Sequence, residues 1–198
     1  MRNFAAPTRR LIWGALLALA LLGSLQLLPS RPAPPTDVCL VAPPTPFDAR
    51  TGLGLLAARP VPADARCPVC GMYPARSRDW AAQVIFKDNG DTQFFDSPLS
   101  LFIYLQEVGR YTRGRSAAEI GAVYVSDANN GAWIKAETAV YVQGSSALGP
   151  MRAGNLPAFA DKARAEAFAA QRGGRLLRFE QIDAQLLAGL APNQPHRH

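Results

Sequence analysis

Apolar residues are spread very unevenly along the chain. Residues 11–28 (LIWGALLALALLGSLQLL) are apolar except for Ser24 and Gln26, and Arg2, Arg9 and Arg10 precede them. A basic start followed by a hydrophobic run is a signature of export. The run lies at the lower end of what spans a bilayer, and no small-x-small cleavage site follows it. Residues 1–28 therefore read as a signal or anchor segment, an uncleaved anchor with the arginines inside and the rest of the chain outside ahead of a cleaved signal. Residues 29–66 differ in kind: Pro29, Pro32, Pro34, Pro35, Pro43, Pro44, Pro46, Pro60 and Pro62 recur through them. Such density favours extended polyproline structure, so 29–66 are expected to be a semi-rigid linker, with tight order beginning near Pro60.

From residue 67 onward the pattern is that of a folded domain. Ala81 to Lys87 (AAQVIFK) predicts a strand, Asp88-Asn89-Gly90-Asp91 a hairpin turn, and Thr92 to Phe95 the returning strand. Asp96 or Ser97 then caps a helix with Pro98 in its first turn. Leu101, Phe102, Leu105 and Val108 recur at helical spacing, Gly109 closes the helix, and Ile120 to Ser126 predicts another strand. A second series follows. Trp133 to Lys135, Ala139 to Val142, Leu156 to Ala160 and Arg175 to Phe179 predict strands. Asp161 caps a helix reaching Gly173-Gly174, and Ile182 to Leu190 predicts a last short helix. Phe95-Asp96-Ser97, helix, Gly109, strand parallels Phe159-Ala160-Asp161, helix, Gly173, strand, which predicts two ββαβ-like units. The expected fold class is α+β: one small domain over 67–190, with helices packed on a largely antiparallel sheet. Residues 191–198 form a polar tail expected to fray.

A hydrophobic fraction of 48% against 18% charged residues describes a chain that folds. The net charge of +6 does not read as nucleic-acid binding, because the arginines are scattered and no stretch interleaves them with aromatics. A basic surface suits an anionic membrane face or an acidic protein partner. No Ser/His/Asp set, Gly-rich phosphate loop or pair of carboxylates at catalytic spacing is present, so hydrolase, kinase and glycosidase readings fall away. No small-molecule substrate is expected.

The chemistry is concentrated in Cys67-Pro68-Val69-Cys70-Gly71-Met72. The chain has three methionines, of which Met1 is the initiator, and its two histidines, His196 and His198, stand at the extreme C-terminus. The domain therefore offers sulfur and almost no imidazole. Soft sulfur ligands without histidine suit Cu(I) better than Zn(II), Fe(II) or Mg(II). A C-x-x-C pair is also the spacing of redox dithiols and of half a zinc site. Structural zinc wants a second pair of ligands, which is lacking, and Tyr73-Pro74 breaks the helix that a thioredoxin-type site would open. Met72 favours Cu(I), since a thioether contributes nothing to disulfide exchange. Thiol–disulfide exchange through Cys67 and Cys70, or a purely structural role, stays open on these residues. Arg66, Arg76 and Arg78 add positive charge beside the motif, suited to a thiolate or to an acidic docking partner. Cys39 stands in the linker with no evident partner.

Met151 lies in Leu148-Gly149-Pro150-Met151-Arg152-Ala153-Gly154-Asn155, a Gly/Pro loop where a core methionine would be out of place. It is a candidate third sulfur for a Cys70/Met72/Met151 site. CPVCGM, the WAAQVIFKD and FFDSP segments, the GPMRAGNLPAF loop and DKARAEAFAAQRGG together resemble the NosL family, over about Arg66 to Leu187. That resemblance implies a periplasmic, membrane-attached Cu(I) chaperone serving nitrous oxide reductase and its assembly machinery, and not an enzyme. It implies Cys70, Met72 and Met151 as metal ligands, with Cys67 matching the first cysteine of the family motif. Family members are usually lipoproteins. Here Cys39 follows Thr36-Asp37-Val38, well beyond the apolar run, so the implied attachment is by the N-terminal segment at the inner membrane.

Overall fold

The structure, a computed structural model, describes residues 42–152 and 155–190. The anchor at 1–28, the first part of the linker with Cys39, and the tail at 191–198 lie outside the described residues. Among the described residues no helix is long and apolar enough to cross a membrane.

Two antiparallel sheets carry the fold. The hairpin forms where Asn89-Gly90 predicts it, between β1 (Ala82–Phe86) and β2 (Thr92–Phe95). Gly90 supplies the positive φ of the turn, and a Cβ there would stand 2.6 Å from the end of the Leu55 side chain, which would have to move aside. β3 (Ile120–Ser126) pairs with the other edge of β1, and β4 (Trp133–Lys135) with β3, giving the order β2-β1-β3-β4. All five residues of β1 are buried, as expected of a central strand covered on both faces. The second sheet places β5 (Val140–Gln143) between β6 (Ala158–Phe159) and β7 (Arg175–Leu177). Both sheets thus have a central strand flanked by its successor and by the strand that follows a helix. A parallel bridge between Asp127 and Ala158 joins them.

The helices start at the caps their sequences supply. α1 (Pro98–Gln106) opens on Ser97, whose Oγ accepts a hydrogen bond from the Ser100 amide, with Pro98 at the first helical position. A short α2 (Val108–Tyr111) follows, so Gly109 lies within a helix and does not end one. α3 (Lys162–Arg172) is capped by Asp161, and α4 (Ala184–Leu190) closes the domain. The core gathers around α1, which packs against residues of both sheets. Phe102 packs edge-on to Tyr141 at 5.2 Å and against Phe179 at 5.1 Å, while Phe95 and Tyr104 stack at 4.9 Å. Buried Tyr141 keeps its hydroxyl satisfied by donating to the Ala136 carbonyl at 2.8 Å.

Three expectations are corrected. Trp133–Lys135 joins the first sheet, because it pairs with β3 and not with β5. The strands expected at 156–160 and 175–179 shrink to Ala158–Phe159 and Arg175–Leu177, and Phe179–Gln181 coils into a 3-10 turn. The linker reading fails for residues 42–66, which lie on the first sheet. Thr45 pairs with Thr92 through two 2.8 Å backbone hydrogen bonds, the Ala42 carbonyl accepts from Gln93, and Val61 is buried. Proline-rich sequence is extended, and an extended chain can add to a sheet edge as readily as it can span a gap.

The firmest tie of this segment is Gln83, fully buried on β1. Its amide accepts from the Arg59 backbone N–H and donates to the Arg59 carbonyl, both at 3.0 Å. Gln83→Ala removes both partners at once and is expected to lower stability by about 1–3 kcal/mol. It should also open residues 42–59 to protease. Denaturant midpoints and limited proteolysis check this; unchanged cleavage would show that the segment is held by other contacts.

Candidate metal centre

The motif Cys67-Pro68-Val69-Cys70-Gly71-Met72 folds into a closed loop. The Cys67 N–H donates to the Met72 carbonyl at 2.9 Å, and the Gly71 N–H donates to the Cys67 carbonyl at 2.8 Å. The reversal requires φ of +73° at Gly71, where space for a side chain exists but the backbone conformation does not favour one. This closure turns both thiols toward the end of β2. Cys67 is 1% exposed and belongs to the main core; Cys70 is half-buried, and both are free thiols.

The residue they meet is Asp96. It directly follows the last residue of β2, is 1% exposed, and accepts a hydrogen bond from the Cys70 thiol at Oδ1, 3.1 Å away. Its Oδ2 is buried and has no hydrogen-bond partner among the described residues. The Ser100 hydroxyl lies 3.9 Å from Cys70 Sγ. One ligand atom each from Cys67, Cys70 and Asp96 lies within 4.8 Å of the others. A buried carboxylate oxygen without a donor is costly, and a carboxylate grouped with two thiols is the chemistry of a cation site.

The two thiols titrate as a pair. Cys70 is pushed far above the usual thiol range, first by its hydrogen bond with Cys67, then by burial, then by the negative charges of Cys67 and Asp96. At Cys67 burial is the largest single influence and works upward, but the hydrogen bond with Cys70 and the backbone hydrogen bonds from Asp96 and Cys70 together carry the net direction down. The shifts thus belong to the pair and not to either thiol alone, and a bound cation would favour deprotonation of both.

Of the four residues expected to bind metal, Cys67 and Cys70 are brought together. Cys67, the least supported of them in the sequence, sits deepest. Met72 closes the loop through its carbonyl while its side chain stays 41% exposed, and Met151 is 42% exposed. The Met151 loop abuts the segment that continues from the thiol loop through the 3-10 turns Pro74–Arg76 and Arg78–Trp80: a methyl group on Gly149 would touch the Trp80 ring at 3.7 Å. Arg152, directly after Met151, adopts φ of +52°, a conformation that non-glycine residues seldom hold.

Asp96 is the residue that sequence reasoning misses, because in the sequence it reads as one of two possible helix caps. Ser97 does the capping, which leaves Asp96 free for the thiols. The signal was the pair itself: two cap-type residues precede Pro98, and a helix start uses one of them.

A family model described as NosL matches residues 58–187. The copper-binding lipoprotein NosL of Stutzerimonas stutzeri is 34% identical over 136 residues, which cover 65% of this chain and 67% of that protein. The crystal structure of the copper chaperone NosL from Shewanella denitrificans is similar in fold, with a TM-score of 0.55 and 26% identity. That match covers 65% of this chain and 97% of that one.

A site kept for binding should weaken the protein that holds it empty. Asp96→Asn retains the shape of the side chain and an acceptor for Cys70 but removes the unpaired charge. The metal-free variant is expected to be as stable as the wild type or more stable, by about 1–2 kcal/mol. Urea denaturation under reducing, chelating conditions measures it. A lower midpoint would make Asp96 a structural partner of Cys70 and nothing more.

Proposed function

Since this chain belongs to the NosL family, we propose that it carries copper as Cu(I) outside the inner membrane and passes it to a copper enzyme. The observation that carries the reading is the buried Cys67–Cys70–Asp96 cluster, which lies directly beneath a loop whose methionine is open to solvent. Cys70 binds as thiolate and supplies most of the affinity. Met72 and Met151 complete a soft, low-coordinate site that Cu(I) prefers and harder ions do not. Cys67 either shares the ion or holds the Cys70 proton balance from below.

Copper is cargo here, so the chain is a carrier and not an enzyme. Disulfide exchange has little support from the site. Its attacking thiol would be Cys67, which is 1% exposed, or Cys70, whose proton is held tightly. The client we propose is nitrous oxide reductase with its assembly machinery. This follows from the family resemblance and not from any contact in the fold. Attachment to the periplasmic face of the inner membrane would come from residues 1–28, although the Stutzerimonas relative is named a lipoprotein.

Cu(I) competition titration under anaerobic conditions tests the ligand set. Cys70→Ser is expected to lower the affinity by at least about a hundredfold, since it replaces the charged soft donor. Met72→Ala and Met151→Ala should each cost about tenfold, because a neutral thioether holds more weakly. Affinities unchanged in both methionine variants would remove the thioethers from the site and leave copper, if bound, to Cys67, Cys70 and Asp96.

A further inference from the structure

The segment that carries the thiols also carries two guanidinium groups on one ring. Arg66 Cζ lies 4.3 Å and Arg76 Cζ 4.5 Å from the centroid of Tyr73. Arg66 also donates to the Tyr73 hydroxyl and, at 3.5 Å, to the Gly71 carbonyl. Two cations sharing a ring are at most about 9 Å apart, inside the screening length of about 10 Å at 0.1 M salt, so they repel each other. The π-face offsets part of that repulsion, and an anion placed between them would offset the rest. Neither arginine has a carboxylate partner among the described residues. Asp64 and Asp79 stand close in sequence and pair with neither of them.

This contrasts with the other side of the first sheet. There Arg115 is surrounded by Asp88, Asp91 and Glu119, at 2.7, 3.6 and 3.3 Å. Arg115 is thus neutralised within the fold, whereas Arg66 and Arg76 beside Met72 are held by an aromatic ring and not by a carboxylate. Stacking also fixes the orientation of the two free charges before any partner arrives, which lowers the ordering cost of an interface. Met72, an exposed apolar side chain, stands in the same stretch. Apolar contacts beside fixed cations match the make-up of a protein-docking patch.

We propose that Arg66 and Arg76, held on Tyr73, dock an acidic patch of the protein that receives the copper. The proposal rests on the copper-carrier reading and adds the chemistry of the partner. An acidic protein surface fits better than an anionic bilayer. Met72 lies between Arg66 and Arg76 in the chain, and a membrane seated on the arginines would cover the sulfur from which copper must leave.

The test uses the full chain in zwitterionic detergent, with a capped hexaglutamate peptide as probe and hexaglutamine as control, followed through arginine Nε–Hε NMR signals. Arg66 and Arg76 are expected to shift together and saturate with hexaglutamate alone. Binding should weaken steeply between about 20 and 200 mM salt, as screening removes the attraction. Arg76→Glu should weaken it at least about tenfold while Cu(I) affinity stays within about twofold, since the Arg76 guanidinium lies on the Tyr73 ring and is not a metal ligand, and reversal turns attraction into repulsion. Arg172→Glu, the same charge change elsewhere, should do much less. Hexaglutamate binding unchanged in Arg76→Glu, or shifts spread evenly over exposed arginines such as Arg50 and Arg172, would overturn the proposal. Phosphatidylglycerol vesicles that move Arg66 and Arg76 when the peptide does not would overturn it in favour of a membrane contact. A wild-type chain that fails to bind Cu(I) would bring down the carrier reading, while the peptide response would still report separately on the acidic docking site.

Discussion

The contact between the Cys70 thiol and the Asp96 carboxylate is the constraint around which the domain is arranged. Asp96 directly follows β2, one residue before the cap of α1, so its position is set by the sheet on one side and the helix on the other. Neither element can shift without moving the carboxylate. The thiol loop rests on that fixed point, with Cys67 sealed into the same core as Phe95, Leu101 and Tyr104. Burying an oxygen with no donor costs about 1–3 kcal/mol. The burial of a single phenylalanine recovers a comparable amount, about 1.5–3 kcal/mol. The aromatic stack of Phe95, Phe102, Tyr104, Tyr141 and Phe179 around α1 therefore more than carries the cost of the polar cluster beside it.

That arrangement explains why part of the fold could be read from sequence and part could not. The Asn89-Gly90 hairpin, the Ser97-Pro98 helix start and the Asp161 cap are local, since each depends on a few adjacent residues whose backbone preferences are strong. The sulfur motif was legible for the same reason: its chemistry lies within six residues. Asp96 was not, because its role depends on a contact 26 residues away in sequence. The docking of residues 42–66 escaped in the same way. The prolines there report an extended backbone, and only the distant Thr92 and Gln83 show that the extended chain is paired. Trp133–Lys135 has the composition of a strand, but which neighbour it joins is a matter of topology that composition does not carry.

The difference in depth between the sulfurs has its own logic. A carrier must hold its ion against competing thiols and still let go of it in contact with an acceptor. Groups sealed in the core cannot be approached by a partner; groups on the surface can. In the site proposed here the charged donors, which contribute most of the binding energy, are the sheltered ones. The thioethers, neutral and weaker, are the ones a partner can reach.

Release then need not begin by breaking the strongest bond. An incoming ligand can displace one thioether, then the other, so that the ion stays coordinated throughout and the thiolate is exchanged last. For this route the partner must arrive on the face where the methionines are, in a limited set of orientations. Stacked guanidiniums in the segment that also carries Met72 supply such a bias at long range, where a shallow apolar patch alone would not. On this view the positive charge left unpaired beside the site and the sulfur left uncovered within it answer the same requirement, that the ion leave in one direction only.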